Sequence, residues 1–213
     1  MMKTIHRWTW PLFAGLLILL AVLLWLSPAE QTLGQAVKLV YLHGTLVRTA
    51  MIVFAISLPI NLLALIRPQK NWATWGKAFV WGAATIWLAH TLFSMVTTYI
   101  TWGIAIAWFE PRTRFTFAVA GASVIFVAAA HFVNNTRFSS LSFTVLGGLI
   151  LSLLPRLGII QHPLDPIGTS TSDAIRAFYA AILVITLILG GLLIIWFQAK
   201  FSPESTSHIE QQT

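Results

Sequence analysis

Residues 37–66 read VKLVYLHGTLVRTAMIVFAISLPINLLALI, and this stretch decides the fold. About 20 apolar residues suffice to cross the hydrocarbon of a bilayer as a helix, so this run is long for a perpendicular span. It tilts or projects beyond the hydrocarbon at one end. Arg67-Pro68-Gln69-Lys70 stops it, and Lys77 follows. Upstream, a first run covers about Pro11 to Leu26, preceded by Lys3, His6 and Arg7 and followed by the short polar segment 27–36. That run has features of a secretory signal, with Ser27-Pro28-Ala29 after it, but it is long enough to span and further spans follow. Downstream lie a third run, about Ala78 to Tyr99, a fourth, about Phe115 to Val133, a short fifth, about Leu141 to Leu154, interrupted by Gly147-Gly148, and a strong last one, about Ala174 to Phe197.

Composition agrees. Of 213 residues 57% are hydrophobic and 9% charged, far below the roughly 25% that a soluble surface uses. The expected architecture is all-α: a polytopic membrane protein of about six transmembrane helices. Residues 1–200 make one membrane domain, and 201–213 (ending SPESTSHIEQQT) form a polar, disordered cytoplasmic tail. The net charge of +7 comes from bases scattered singly at helix ends, which sets orientation in a lipid bilayer and does not suggest nucleic acid as a partner. Lys3, Arg7, Arg67, Lys70, Lys77, Arg137 and Lys200 fall on the side of the two termini, predicting cytoplasmic N- and C-termini in a cell (inner) membrane. The external rims are then residues 27–37, 101–114 and 155–173. With no cysteine in the chain, any metal or haem iron falls to histidine, methionine, carboxylate or tyrosine.

Four histidines carry information. His43, in VYLHG, sits about one turn into the second run from its external end, and His162, in QHPLDP, lies in the long external loop. Two neutral imidazoles approaching from opposite faces suit axial ligation of haem iron, with the tryptophan-bearing segment TWGIAIAWFEPRTR (101–114) as an apolar platform. The plain alternative is that His43 satisfies a neighbouring backbone carbonyl and His162 is a solvated loop residue.

VKLVYLHG (37–44), WGIAIAWFEPR (102–112) and QHPLDP (161–166) occur in the order seen in the haem-handling cytochrome c assembly family, and the chain resembles its six-helix CcmC type over about residues 36–198. The resemblance implies a haem b held transiently between His43 and His162, in the positions of the family's two external histidines. It also implies a loop that presents haem to other membrane proteins of cytochrome c maturation. Trp102, Gly103 and Trp108 match the family's WGxWWxWDxR loop, Arg112 matches with one residue inserted, and Glu110 stands where an aspartate is expected. Ala105 and Ile106 occupy the region of the paired tryptophans, so the chain departs from the pattern there.

His90 and His131 fall inside the third and fourth runs at different expected depths, roughly 16 Å and 25 Å from the external loop. His90 reads as a buried interhelical donor and His131 as a residue of the cytoplasmic interface. Arg48, inside the second run, invites a carboxylate or a haem propionate. It lies about 140° round the helix from His43, so the two are not expected to share a face, and Arg112 and Arg114 are the more natural propionate partners. Trp8, Trp10, Trp25, Trp72, Trp75 and Trp196 read as interfacial belt residues. Gly147-Gly148 and Gly190-Gly191 read as sites of close helix approach. No nucleophile–base pair or carboxylate cluster suggests an enzyme. The leading expectation is haem handling; a haem-free scaffold subunit and a small transporter are the alternatives.

Overall fold

The computed structural model describes residues 2–158, 167 and 170–202; His162 and the tail from residue 203 lie outside them. Six helices follow in order: α1 (Met2–Leu26), α2 (Val37–Ile66), α3 (Lys70–Trp102), α4 (Pro111–Val133), α5 (Thr136–Leu153) and α6 (Asp173–Phe201), with a 3-10 turn at Leu154–Arg156 after α5. All six are long and apolar enough to cross a membrane, and the described residues contain no strand. The chain is a multi-pass, all-α membrane protein.

Helix boundaries follow local chemistry. Gly103 takes a left-handed conformation (φ 75°) that ends α3, its N–H returning to the Tyr99 carbonyl at 2.9 Å. Pro111 opens α4, where a missing N–H leaves nothing unsatisfied. Asn135 caps α5 through the Phe138 N–H at 3.0 Å, and Ser172 caps α6 through that of Ile175 at 3.4 Å. These caps shorten the expected interfacial loop 101–114 to residues 103–110, because α3 absorbs Thr101 and Trp102 while α4 absorbs Pro111 to Arg114. α3 also begins at Lys70 where the sequence suggested Ala78.

α2 is the central element, touching α1, α3, α5 and α6. Ring contact between Trp10 and Trp196, 5.7 Å apart, joins the start of α1 to the end of α6, so both described ends of the chain share one face of the bundle. At that face α2 and α3 meet closely. Asn61 donates to the carbonyls of Ser57 (2.9 Å) and Gly76 (3.3 Å), and a Cβ on Gly76 would fall on the Asn61 side chain. α6 approaches the same pair through Gly190, whose added Cβ would lie 3.1 Å from both Ile86 Cδ1 and Thr49 Cγ2. Small residues permit such approaches where lipid supplies no hydrophobic drive. Gly147 has the same role against Leu58 and Phe54; Gly191 faces open space. Lys77 and Lys200 lie over the rings of Phe201 (4.5 Å) and Trp196 (5.5 Å) at this end.

Candidate functional site

Toward the opposite face the bundle opens around a cavity of about 630 Å³, bordered by α2, α3, the first turns of α4 and α6, and the α1–α2 loop. The geometry of α2 explains which side chains reach it. Residues advance about 100° per position, so Val37, Val40, Gly44 and Val47 form one stripe, with His43 and Arg48 at its two edges. His43 and Arg48 do not share one face of α2, as their spacing requires. They lie far apart round the helix, and the cavity is wide enough to take in both.

His43 donates through Nδ1 to the carbonyl of Leu39 at 3.1 Å, and His90 donates through Nδ1 to the carbonyl of His43 at 3.0 Å. A carbonyl only accepts, so each neutral ring carries its proton on Nδ1 and its lone pair on Nε2. Metal-binding imidazoles are often oriented by a bond of this kind to a backbone carbonyl. A bond from His43 to a backbone carbonyl is thus compatible with a ligand role. His90 is the interhelical donor expected from the sequence, 5% exposed. It stands level with His43, the rings 5.8 Å apart and inclined by 30°. The two rings come level because α3 continues 12 residues past His90 to Trp102 and overhangs the start of α2. The direct bond between His90 and the α2 backbone leaves no room for a flat macrocycle between the two helices.

The aromatic lining differs from the expected one. Trp102 borders the cavity, but Trp108 does not: it is 56% exposed and packs on Phe117 at 5.0 Å. Ala105 is exposed and, like Ile106, outside the lining. Aromatic surface comes instead from Trp87, Phe115 and Tyr179. Trp87 is fully buried, its indole N–H donates to Thr116 O at 3.0 Å, and its ring lies 5.5 Å from His90 and 6.1 Å from Phe115. The sequence signal for Trp87 was its position in the interior of a span, three residues before His90, where a headgroup belt has no use for indole.

Charge is concentrated at this site. Arg48 lies 5.0 Å over the Tyr179 ring. Arg112 borders the cavity from the second position of α4, with Nε buried and no hydrogen-bond partner among the described residues. Glu110, 2% exposed, borders it too. Arg114 is exposed and outside the lining, so of the two rim arginines only Arg112 is placed to meet a ligand. At the rim, Glu30 accepts the N–H groups of Leu33 and Thr32, both at 2.8 Å. The Leu33 N–H, foremost among these bonds, holds the Glu30 carboxyl below its usual range. His131, in the last turn of α4, is exposed and remote from the cavity. Among the described residues no three histidine or acidic side chains converge as a metal cluster.

The chain matches no protein-family model, and no curated protein matches it.

Proposed function

We propose that this chain is a haem-handling membrane protein of the cytochrome c assembly type, which holds haem transiently at the external face and passes it to a partner membrane protein. The observation that carries the reading is His43: its Nδ1–H is committed to the Leu39 carbonyl, which puts the Nε2 lone pair on the ring of a residue lining an aromatic-walled cavity of about 630 Å³. A cavity of this size lies within the range of small-molecule sites. The residues fit the group: His43 as one axial imidazole, Trp87, Trp102 and Phe115 as apolar walls, and Arg112, with its orphaned Nε, as a donor for a propionate. By its order in the sequence, His162 would be the second residue to hold the iron. Haem supplies the iron; the protein binds, orients and releases it, and breaks no bond. On the distribution of bases, the chain ends face the cytoplasm of a cell membrane.

One observation favours a second reading, a haem-free scaffold that kept the fold: Ala105 and Ile106 stand in place of the loop tryptophan pair, and Trp108 faces away from the cavity. A reduced-minus-oxidised spectrum of the protein in mild detergent separates the two. Haem handling predicts Soret and α bands that His43→Ala and His162→Ala abolish and His131→Ala retains. A folded wild type without haem, or bands indifferent to His43→Ala, overturns it.

A further inference from the structure

At the face of the chain ends the helices stop at different heights. Phe201, the last residue of α6, lies 4.5 Å from the ammonium of Lys77 and 5.6 Å from the Trp81 ring. α3 itself begins at Lys70, seven residues before Lys77. At about 1.5 Å per residue, its first two turns rise roughly 10 Å past the end of α6. The step forms a notch. Those turns are its wall, and its floor is aromatic: Trp81 meets Phe197 and Phe201 at 5.6 Å each, and the two phenylalanines stack at 5.8 Å.

Lys70, Thr74, Lys77 and Trp81 recur at spacings of four, three and four, so they share one stripe of α3. Thr74 returns its hydroxyl proton to the Lys70 carbonyl at 2.8 Å, and the Trp81 indole N–H is buried. The groups of this stripe that reach outward are the two ammoniums. Lys77 lies inside a run long enough to cross a membrane, where a lysine lays its methylenes on apolar surface and carries its charge to the headgroup layer. The Phe201 ring draws that charge toward the notch. The stripe continues into Leu88, 38% exposed, and so runs on as surface for an acyl chain. The described carboxylates, Glu30, Glu110 and Asp173, all belong to the opposite face. Lys200 lies over Trp196, on the side of α6 that meets α1, and is outside the notch.

We propose that this notch binds one anionic phospholipid, its phosphodiester held by Lys77 and Lys70 and an acyl chain laid along α3 toward Leu88. Basic pockets between transmembrane helices take anionic headgroups in this way. A zwitterionic lipid brings its own cation against the two lysines and an anionic one does not, so the site discriminates by headgroup charge. The site is remote from the cavity and independent of the porphyrin reading.

The test titrates full-length protein in non-ionic detergent with dioleoylphosphatidylglycerol and, separately, dioleoylphosphatidylcholine, and counts bound lipid by native mass spectrometry. Wild type should bind the anionic lipid about five- to thirtyfold more tightly, a factor of about five for each lysine. Lys77→Gln should lose about fivefold of that preference, Lys77→Arg should keep it, and the double change Lys70→Gln with Lys77→Gln should bring the two lipids to within about twofold. Arg137→Gln, at the start of α5, should leave the preference unchanged. The ratio is internal to each variant, so partial misfolding does not mimic the result. Equal binding of both lipids by wild type overturns the proposal. An equal loss in Arg137→Gln also overturns it, because selectivity would then belong to the whole basic face. Displacement of the lipid by millimolar glycerol phosphate would mark a site for free phosphate and sink the lipid assignment. Glu204 and Glu210 belong to the tail, outside the described residues. Selectivity that emerges only when both are changed to Gln would give the lysines to the chain's own tail, and the proposal would fall.

Discussion

The pair α2–α3 is built differently at its two ends. Near the chain termini, Asn61 closes on Gly76, and a Cβ added to Gly82 would fall 2.8 Å from Ile194 Cγ1, so the helices pack closely there. Near the opposite face the same two helices carry His43, Arg48, His90 and a run of hydroxyls around an unfilled volume. Both ends are polar. At the packed end the Asn61 amide is answered by backbone carbonyls of α2 and α3 across a short gap, which holds helices together. At the open end the groups border a cavity. Polarity in a membrane bundle thus divides into glue and site according to whether the partner is another helix or a cavity.

The sharpest way to break that division is at its boundary. Trp87 forms the inner wall of the cavity and, through Phe54 at 6.2 Å, part of the packed core. Trp87→Ala should cost about 3–5 kcal/mol by the precedent of large-to-small core changes, and should disturb the cavity as well. Denaturation in detergent reads the first effect and porphyrin affinity the second. A change confined to one of them would mean that the two halves are uncoupled there. Gly76→Ala, at the packed end, forces the Asn61 amide aside and should cost about 1–3 kcal/mol, with porphyrin affinity unchanged. Loss of affinity in that variant would show that the closed end sets the width of the open one.

Much of the fold was legible because lipid imposes a simple rule, long apolar runs stopped by bases, and every run expected from the sequence is a helix. Boundaries were less so. The 101–114 segment looked half polar, yet Gly103 and Pro111 confine the loop to 103–110, since end chemistry outweighs average polarity. At the site, His43 and Trp102 fall on the cavity, and Arg112 does so while its neighbour Arg114 does not. Trp87 had a local signal, an indole inside a span, but Trp108 and the joint placement of His43 and Arg48 were illegible for one reason: each depends on how wide a gap the helices leave, a property of packing among distant residues that no local pattern records.

A smaller contrast compares hydroxyls. Thr49 donates to Thr186 across the α2–α6 interface at 3.1 Å, both residues buried; Thr98 returns its proton to its own helix. Thr49→Val should cost about 1 kcal/mol, in the range of interhelical hydrogen bonds in membranes, and Thr98→Val less than about 0.5 kcal/mol. Equal costs would erase the distinction between glue and lining.

The smallest effect concerns the cavity's rim and depends on pH. Folding lowers the Glu30 pKa from its model-peptide value of 4.5, chiefly through the Leu33 N–H, because the ionised carboxylate is the better acceptor for the amides of the turn. A depressed carboxylate pKa contributes stability that is present above the unfolded value and lost as pH falls through the folded one. The α1–α2 turn should therefore loosen only below about pH 4.5, seen as faster hydrogen exchange at the Thr32 and Leu33 amides after correction for intrinsic rates. Glu30→Gln should remove that acid dependence while leaving exchange at the Asn61–Gly76 contact unaltered. If acid instead loosened the packed end first, the rim would not be the weaker part of the bundle, since the described residues of the packed end hold no carboxylate to titrate there.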